Sequence, residues 1–156
     1  LFEEKNLWLD REMITTVFYN LIANAVKFTQ PGGRITIRIF EDFMPKDTLI
    51  SKLKKLVRYN KKPNSIAVTV TDTGQGIAGK ELKNIFRRFY QVSNSATPQA
   101  PGSGIGLSLV KEYVELHKGY IDVHSKLQHG TSFTIYFPKE LKIEKKKFDT
   151  SAVDTD

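Results

Sequence analysis

Ile66-Ala-Val-Thr-Val-Thr-Asp72-Thr-Gly74-Gln-Gly76-Ile-Ala-Gly79 is the stretch that decides how this chain folds. Ile66, Val68 and Val70 recur with period two, the pattern of a half-buried strand. Asp72 keeps the same parity and so shares a face with the three aliphatic side chains. If that is the core face, a carboxylate enters apolar surroundings, which costs several kcal/mol unless it accepts hydrogen bonds. Gly74 and Gly76 follow immediately and allow a flat ligand to approach the backbone. An exocyclic amine, such as that of adenine, suits Asp72. A turn-initiating Asp followed by turn glycines is the plainer reading of this segment by itself.

The same glycines spell G-x-G-x-x-G after a strand. The dinucleotide fingerprint wants an acidic residue about 20 positions further on, and no Asp or Glu stands between 82 and 111. With Lys80 the stretch approaches a phosphate-binding P-loop, but Glu81 occupies the place of the metal-binding Ser or Thr. Both motifs are rejected.

Upstream, Asp10 is a plausible N-cap for a helix carrying Ile14, Val17, Phe18, Leu21, Ile22, Ala25 and Phe28 at helical spacing. Pro31-Gly-Gly33 stops it, and Ile35, Ile37 and Ile39 alternate as a strand. At 100° per residue, Asn20, Asn24 and Lys27 fall within about 60° of one another at the border of the apolar stripe. Two amides and an ammonium there could hold a metal ion and a phosphate, since an amide oxygen is a hard donor fit for Mg²⁺. A solvated polar edge is the commoner fate of isolated Asn residues.

Downstream, Leu82, Ile85, Phe86 and Phe89 predict a second helix, and residues 91–104 read as a long loop. Gly102-Ser-Gly104-Ile-Gly106 ends that loop just before a helix with Leu109, Val110, Val114 and Leu116. Amides at a glycine-rich helix start form an anion site; a hinge is the alternative. Gly119 marks the helix stop, and strands at Tyr120–His124 and Ser132–Phe137 close the domain at Pro138. This order favours an α+β fold, two layers with helices on one face of a mixed sheet. Residues 40–65 interrupt it, with Leu49, Ile50, Leu53, Leu56 and Val57 spaced for a short amphipathic helix.

Composition bounds the rest. A chain of 156 residues, 40% hydrophobic and 26% charged, fits one soluble globular domain. It has no cysteine, hence no disulfide framework or thiolate metal site. It opens on Leu1 without a signal peptide, as expected of a domain cut from a longer protein. Of the net charge of +7, residues 40–65 carry seven basic against three acidic side chains, while 139–156 balance five against five. Such a Lys-rich run is more often a solvated surface, so nucleic acid is not an expected partner.

Taken together, the motifs resemble those of sensor histidine kinases. Asn20-Leu-Ile-Ala-Asn24-Ala-Val-Lys27-Phe-Thr resembles their N box, and Asp72-Thr-Gly74-Gln-Gly76-Ile77 the first glycine box. Phe86-Arg-Arg-Phe89 is similar to the F box, Gly102-Ser-Gly104-Ile-Gly106-Leu107 to the second glycine box, and Gly130-Thr131-Ser-Phe to the closing segment. The likeness covers residues 7–138 apart from the insertion. It implies a Bergerat-type ATP-binding fold, with a catalytic domain over 1–138, an insertion at 40–65 and a charged linker or tail at 139–156.

Further implications concern the site. Asp72 would receive the adenine amine, with Gly74, Gly76, Ile77 and Thr131 around the base. Asn24 would coordinate Mg²⁺ bridging the phosphates of ATP, and Asn20 and Lys27 would support the phosphate end. Gly102, Gly104, Gly106 and Leu107 would contact phosphates. Gyrase, MutL and heat-shock-chaperone ATPases carry Glu at the position of Asn20, and an amide cannot take a proton from water near neutral pH. The resemblance therefore implies phosphoryl transfer to a protein rather than hydrolysis. Many relatives place a basic residue where this chain has Gln91, which leaves Arg88, Arg87 or Lys27 to supply the transition-state cation.

The acceptor histidine is expected on a separate dimerisation domain, because His117, His124 and His129 precede Lys118, Ser125 and Gly130 rather than an acid. A response regulator or receiver domain would follow in the relay. The whole would be a cytoplasmic domain of a membrane-anchored bacterial sensor, itself without membrane contact.

Overall fold

The computed structural model describes residues 9–41, 65–92 and 102–139. Helix α1 spans Arg11–Phe28, strands β1 and β2 span Ile35–Glu41 and Ser65–Asp72, helix α2 spans Gly106–Leu116, and β3 and β4 span Tyr120–Lys126 and Gly130–Pro138. The Asp10 side chain accepts the Met13 N–H at 2.9 Å, so the expected N-cap forms. Glu12 in the first turn and Lys27 in the last both complement the helix dipole.

Val17, Leu21 and Ala25, spaced four apart, are the buried side of α1. They join Val110 and Val114 of α2 and Val70, Phe133, Ile135 and Phe137 of the sheet in one core. A second tie joins the helices at their far ends. The buried His117 donates from Nδ1 to the Tyr113 carbonyl at 2.6 Å and accepts the Asp10 N–H on Nε2 at 2.9 Å. A carbonyl only accepts, so this bonding fixes the neutral Nδ1–H tautomer.

The sheet runs β1-β2-β4-β3. An α+β fold in two layers is borne out. The mixed sheet is corrected in one respect: among the described residues every strand pairing is antiparallel. Partners across an antiparallel ladder share a face. Hence Ile35, Asp72, Thr131 and Ser125 form one row across the sheet, and Ile37, Val70, Phe133 and Val123 the next. Both rows face the helices. On the opposite side Thr71 and Ser132 share a hydrogen bond of 2.9 Å, and Thr69 and Thr134 one of 3.2 Å.

The helix expected over Leu82–Phe89 does not form. Backbone bonds there run three residues back: Glu81 to Ala78, Asn84 to Glu81, Arg87 to Asn84 and Tyr90 to Arg87. Apolar residues three apart satisfy such turns as well as an α-helix, so the spacing could not separate the two. Ile85 is still buried in the core. The amphipathic helix expected at Leu49–Val57, like the tail after Lys139, lies outside the described residues.

Candidate functional site

A cleft of about 380 Å³ lies where α1, the start of α2 and one end of the sheet meet. Burial of Val17, Leu21 and Ala25 turns the neighbouring rim of α1 toward it, and Asn20, Asn24 and Lys27 all line it. Asn20 Nδ2 donates to the Thr16 carbonyl at 2.8 Å, one turn back, which orients its carboxamide. Its Oδ1 reaches toward Gly106: a Cβ built there would lie 2.4 Å from that oxygen. Lys27 Nζ sits 5.3 Å from the centre of the Phe28 ring, and a Cβ on Gly102 would come within 3.4 Å of it.

The sheet supplies the opposite wall. Asp72 is 7% exposed, and its Oδ1 accepts the Gly74 N–H at 2.8 Å and the Thr131 N–H at 3.2 Å. Those bonds answer the cost of burying a carboxylate and leave acceptor capacity, since a carboxylate has about four acceptor sites. Thr131 Oγ1 lies 2.9 Å from Ser125 Oγ, which also accepts the Ile77 N–H at 2.7 Å. Ser125 thus sets both Ile77 and Thr131, and only the strand register reveals it.

Gly76 has φ +67°, and a Cβ there would be 2.0 Å from the Lys126 carbonyl oxygen. The first glycine segment is therefore pressed onto the β3–β4 turn, where Gln128 N–H donates to the Gln75 carbonyl at 2.7 Å.

The third wall is the segment 102–107. The N-cap of α2, Ile105, makes no side-chain cap bond, and the first turn holds no acidic residue. Gly106 and Leu107 line the cleft at this uncapped positive end of the helix dipole. Among the lining residues described, Lys27 is the one cation and Asp72 the one anion.

Of the expected site residues, Asn20, Asn24, Lys27, Asp72, Gly76, Ile77, Gly102, Gly104, Gly106, Leu107 and Thr131 line this single cleft. Gly74 lies behind Asp72, packed on the Phe28 carbonyl. Arg88 stands outside: its Nη2 pairs with Glu112 Oε2 of α2 at 2.9 Å. Arg87 Nη1 is 3.3 Å from Asn84 Oδ1 and does not line the cleft either. Gln91 lines it and donates from Nε2 to the Gly102 carbonyl.

Ala23, Phe28, Gln75, Ile85, Tyr90, Val92, Ser103 and Phe133 complete the walls. Helical spacing from Asn24 signals Phe28, and period two from Thr131 signals Phe133; for Tyr90 and Val92 the sequence carries no such signal.

No group of three His, Asp or Glu that could hold a metal occurs among the described residues. A single amide oxygen suffices for Mg²⁺ that keeps its waters and takes phosphate oxygens as ligands. The Asn24 carboxamide in a cleft whose glycine side has no room for a Cβ beside Asn20 fits that requirement.

Residues 9–141 match the family described as histidine kinase-, DNA gyrase B- and HSP90-like ATPases, and the chain belongs to that family. Over 135 residues it is 32% identical to the circadian input-output histidine kinase CikA of Synechococcus elongatus, covering 86% of this chain and 15% of that protein. It is 37% identical to the autoinducer 2 sensor kinase/phosphatase LuxQ of Vibrio vulnificus, over 86% of this chain and 14% of LuxQ. For the sensor protein SrrB of Staphylococcus aureus the values are 36%, 87% and 20%. The chain thus spans at most a fifth of these three relatives. Among solved structures, the mycobacterial sensor histidine kinase MprB superposes with a TM-score of 0.65 at 26% identity, covering 85% of this chain and 76% of that one. The catalytic domain of the histidine kinase ThkA gives 0.57 at 24% identity, over 84% and 70%, a likeness of fold.

Proposed function

We propose that this domain binds Mg-ATP and transfers its γ-phosphoryl group to a histidine on a separate dimerisation domain, within a two-component relay. One observation carries the reading: residues from α1, β2, β4 and the start of α2, distant along the chain, line the same cleft. Asp72 takes the adenine amine on acceptor sites that the Gly74 and Thr131 amides leave open. Gly76 and Ile77 lie along the base. Lys27 and the amides at the head of α2 meet the phosphates, and Asn20 holds its carboxamide at Gly106.

Magnesium, held by Asn24, would neutralise phosphate oxygens as charge moves to the leaving group. The transfer breaks the bond between the γ-phosphorus and the β,γ-bridging oxygen and forms one to an imidazole nitrogen. Positioning and charge stabilisation are most of what this demands. Asn20 offers no base to activate water, which favours transfer over hydrolysis. Arg87 and Arg88 do not line the cleft and Lys27 does, which favours Lys27 as the cation at the transferred group.

Within the chain His117 is a poor acceptor, being buried with both ring nitrogens engaged, and neither His124 nor His129 is followed by an acid. A response regulator or receiver domain would take the phosphoryl group next. Dependence on ATP puts the domain on the cytoplasmic side of a sensor; no described helix is long and apolar enough to cross a membrane.

The test mixes the domain with a histidine-bearing dimerisation domain and γ-labelled ATP. Acid-labile label on the partner, lost in Asn24→Ala, is expected. Nucleotide binding without label on any partner would instead make this an ATP-sensing docking module.

A further inference from the structure

Glu81 and Tyr90 stand at the two ends of the turn run that replaces the expected helix. In a straight 3₁₀ run, the nine steps between them would cover about 18 Å. Yet the Tyr90 hydroxyl donates to Glu81 Oε2, so the run curls and its ends meet. The Glu81 side chain is only 19% exposed, and its ion-pair partner among the described residues, Lys80, is a largely solvated ammonium 4.0 Å away. A carboxylate so withdrawn from water needs a donor, and the phenol supplies it.

Tyr90 lines the cleft and Glu81 does not. The residues flanking Tyr90 are tied to the glycine segment, Phe89 N–H to the Gly104 carbonyl at 2.9 Å and Gln91 Nε2 to the Gly102 carbonyl. Three-residue turns have poorer bond geometry than an α-helix, so this backbone alone holds the ring weakly.

We propose that Glu81 is a positioning residue for the nucleotide, fixing the Tyr90 ring in the cleft through its hydroxyl. The inference rests on the nucleotide reading above. Without the carboxylate the hydroxyl loses its acceptor, and the ring is free to leave the wall that a bound nucleotide meets. An amide oxygen at position 81 accepts the same bond, so charge is dispensable and acceptor geometry is not.

The test titrates Mg-ATP into the 156-residue chain and into Glu81→Ala, Glu81→Gln, Tyr90→Phe and the Glu81→Ala/Tyr90→Phe double variant. Melting of each is recorded without nucleotide. Glu81→Ala and Tyr90→Phe are each expected to bind about fivefold more weakly, the double variant no more weakly than either. Glu81→Gln stays within about twofold of the parent. Should Glu81→Ala not fold, Tyr90→Phe set against Glu81→Gln carries the same comparison. Undiminished affinity in Tyr90→Phe, losses that multiply in the double variant, or no rescue by Gln would overturn the proposal and leave the nucleotide reading intact. A parent chain that binds no Mg-ATP overturns both.

Discussion

The segments 74–79 and 102–106 are both glycine-rich and both reach the cleft, but their glycines answer to different neighbours. A Cβ at Gly74 would lie 2.2 Å from the Phe28 carbonyl oxygen, and one at Gly76 2.0 Å from that of Lys126. Those obstacles are backbone, and backbone cannot step aside. At Gly106 the nearest atom is instead the Asn20 carboxamide oxygen at 2.4 Å, and at Gly102 only Lys27 Nζ, at 3.4 Å. Here the missing side chain leaves room beside functional groups at the ends of side chains. Gly74 and Gly76 are glycine so that the fold closes, Gly102 and Gly106 so that the cleft stays open. Gly104 is the exception in the second segment and resembles Gly76, facing the Phe89 backbone at 2.7 Å with φ +68°.

Substitutions can break that contrast. Gly76→Ala should have the largest effect, because it combines a left-handed backbone with a backbone collision. It should cost about 3 kcal/mol or more and lower the melting temperature on the order of 10 °C. A thermal melt checks it, and a variant as stable as the parent would erase the distinction. Gly106→Ala should leave the melt within a few degrees and weaken Mg-ATP binding about tenfold, while adenosine binds as before. Calorimetric titration with both ligands separates a phosphate-end defect from general damage; equal losses would count against it.

The smallest effect lies far from both segments, on the sheet face turned away from the helices. Partial burial, and then the negative charge of Asp122, raise the pKa of Tyr120, itself still 47% exposed, above its ordinary value near 10. The fold therefore favours the neutral phenol. Its contribution to stability is whole below pH 10 and is lost as pH climbs through the raised value. Tyr120→Phe should blunt the alkaline loss of stability and leave nucleotide affinity unchanged, read by tyrosinate absorbance alongside an alkaline melt. A tyrosinate transition at the ordinary value would contradict the assignment.

Much of this was legible from residue order. Period two placed Val68, Val70 and Asp72 on the core face, and helical spacing put Asn20, Asn24 and Lys27 on one rim, because both patterns are local geometry. The turn run at 79–90 was misread because a three-residue and a 3.6-residue period nearly coincide over so short a stretch. Ser125 was invisible for another reason: its tie to Thr131 and Ile77 exists only through strand register. The Arg88–Glu112 pair, joining residues 24 apart along the chain, is likewise a contact that residue order does not show.

A crystal of the domain grown with a non-hydrolysable Mg-ATP analogue bears most directly on the central claim. The adenine amine should lie within hydrogen-bond distance of Asp72 while the phosphates rest against Asn24, Lys27 and the head of α2. An analogue bound elsewhere, or a base and triphosphate unable to reach both walls of the cleft at once, would contradict it.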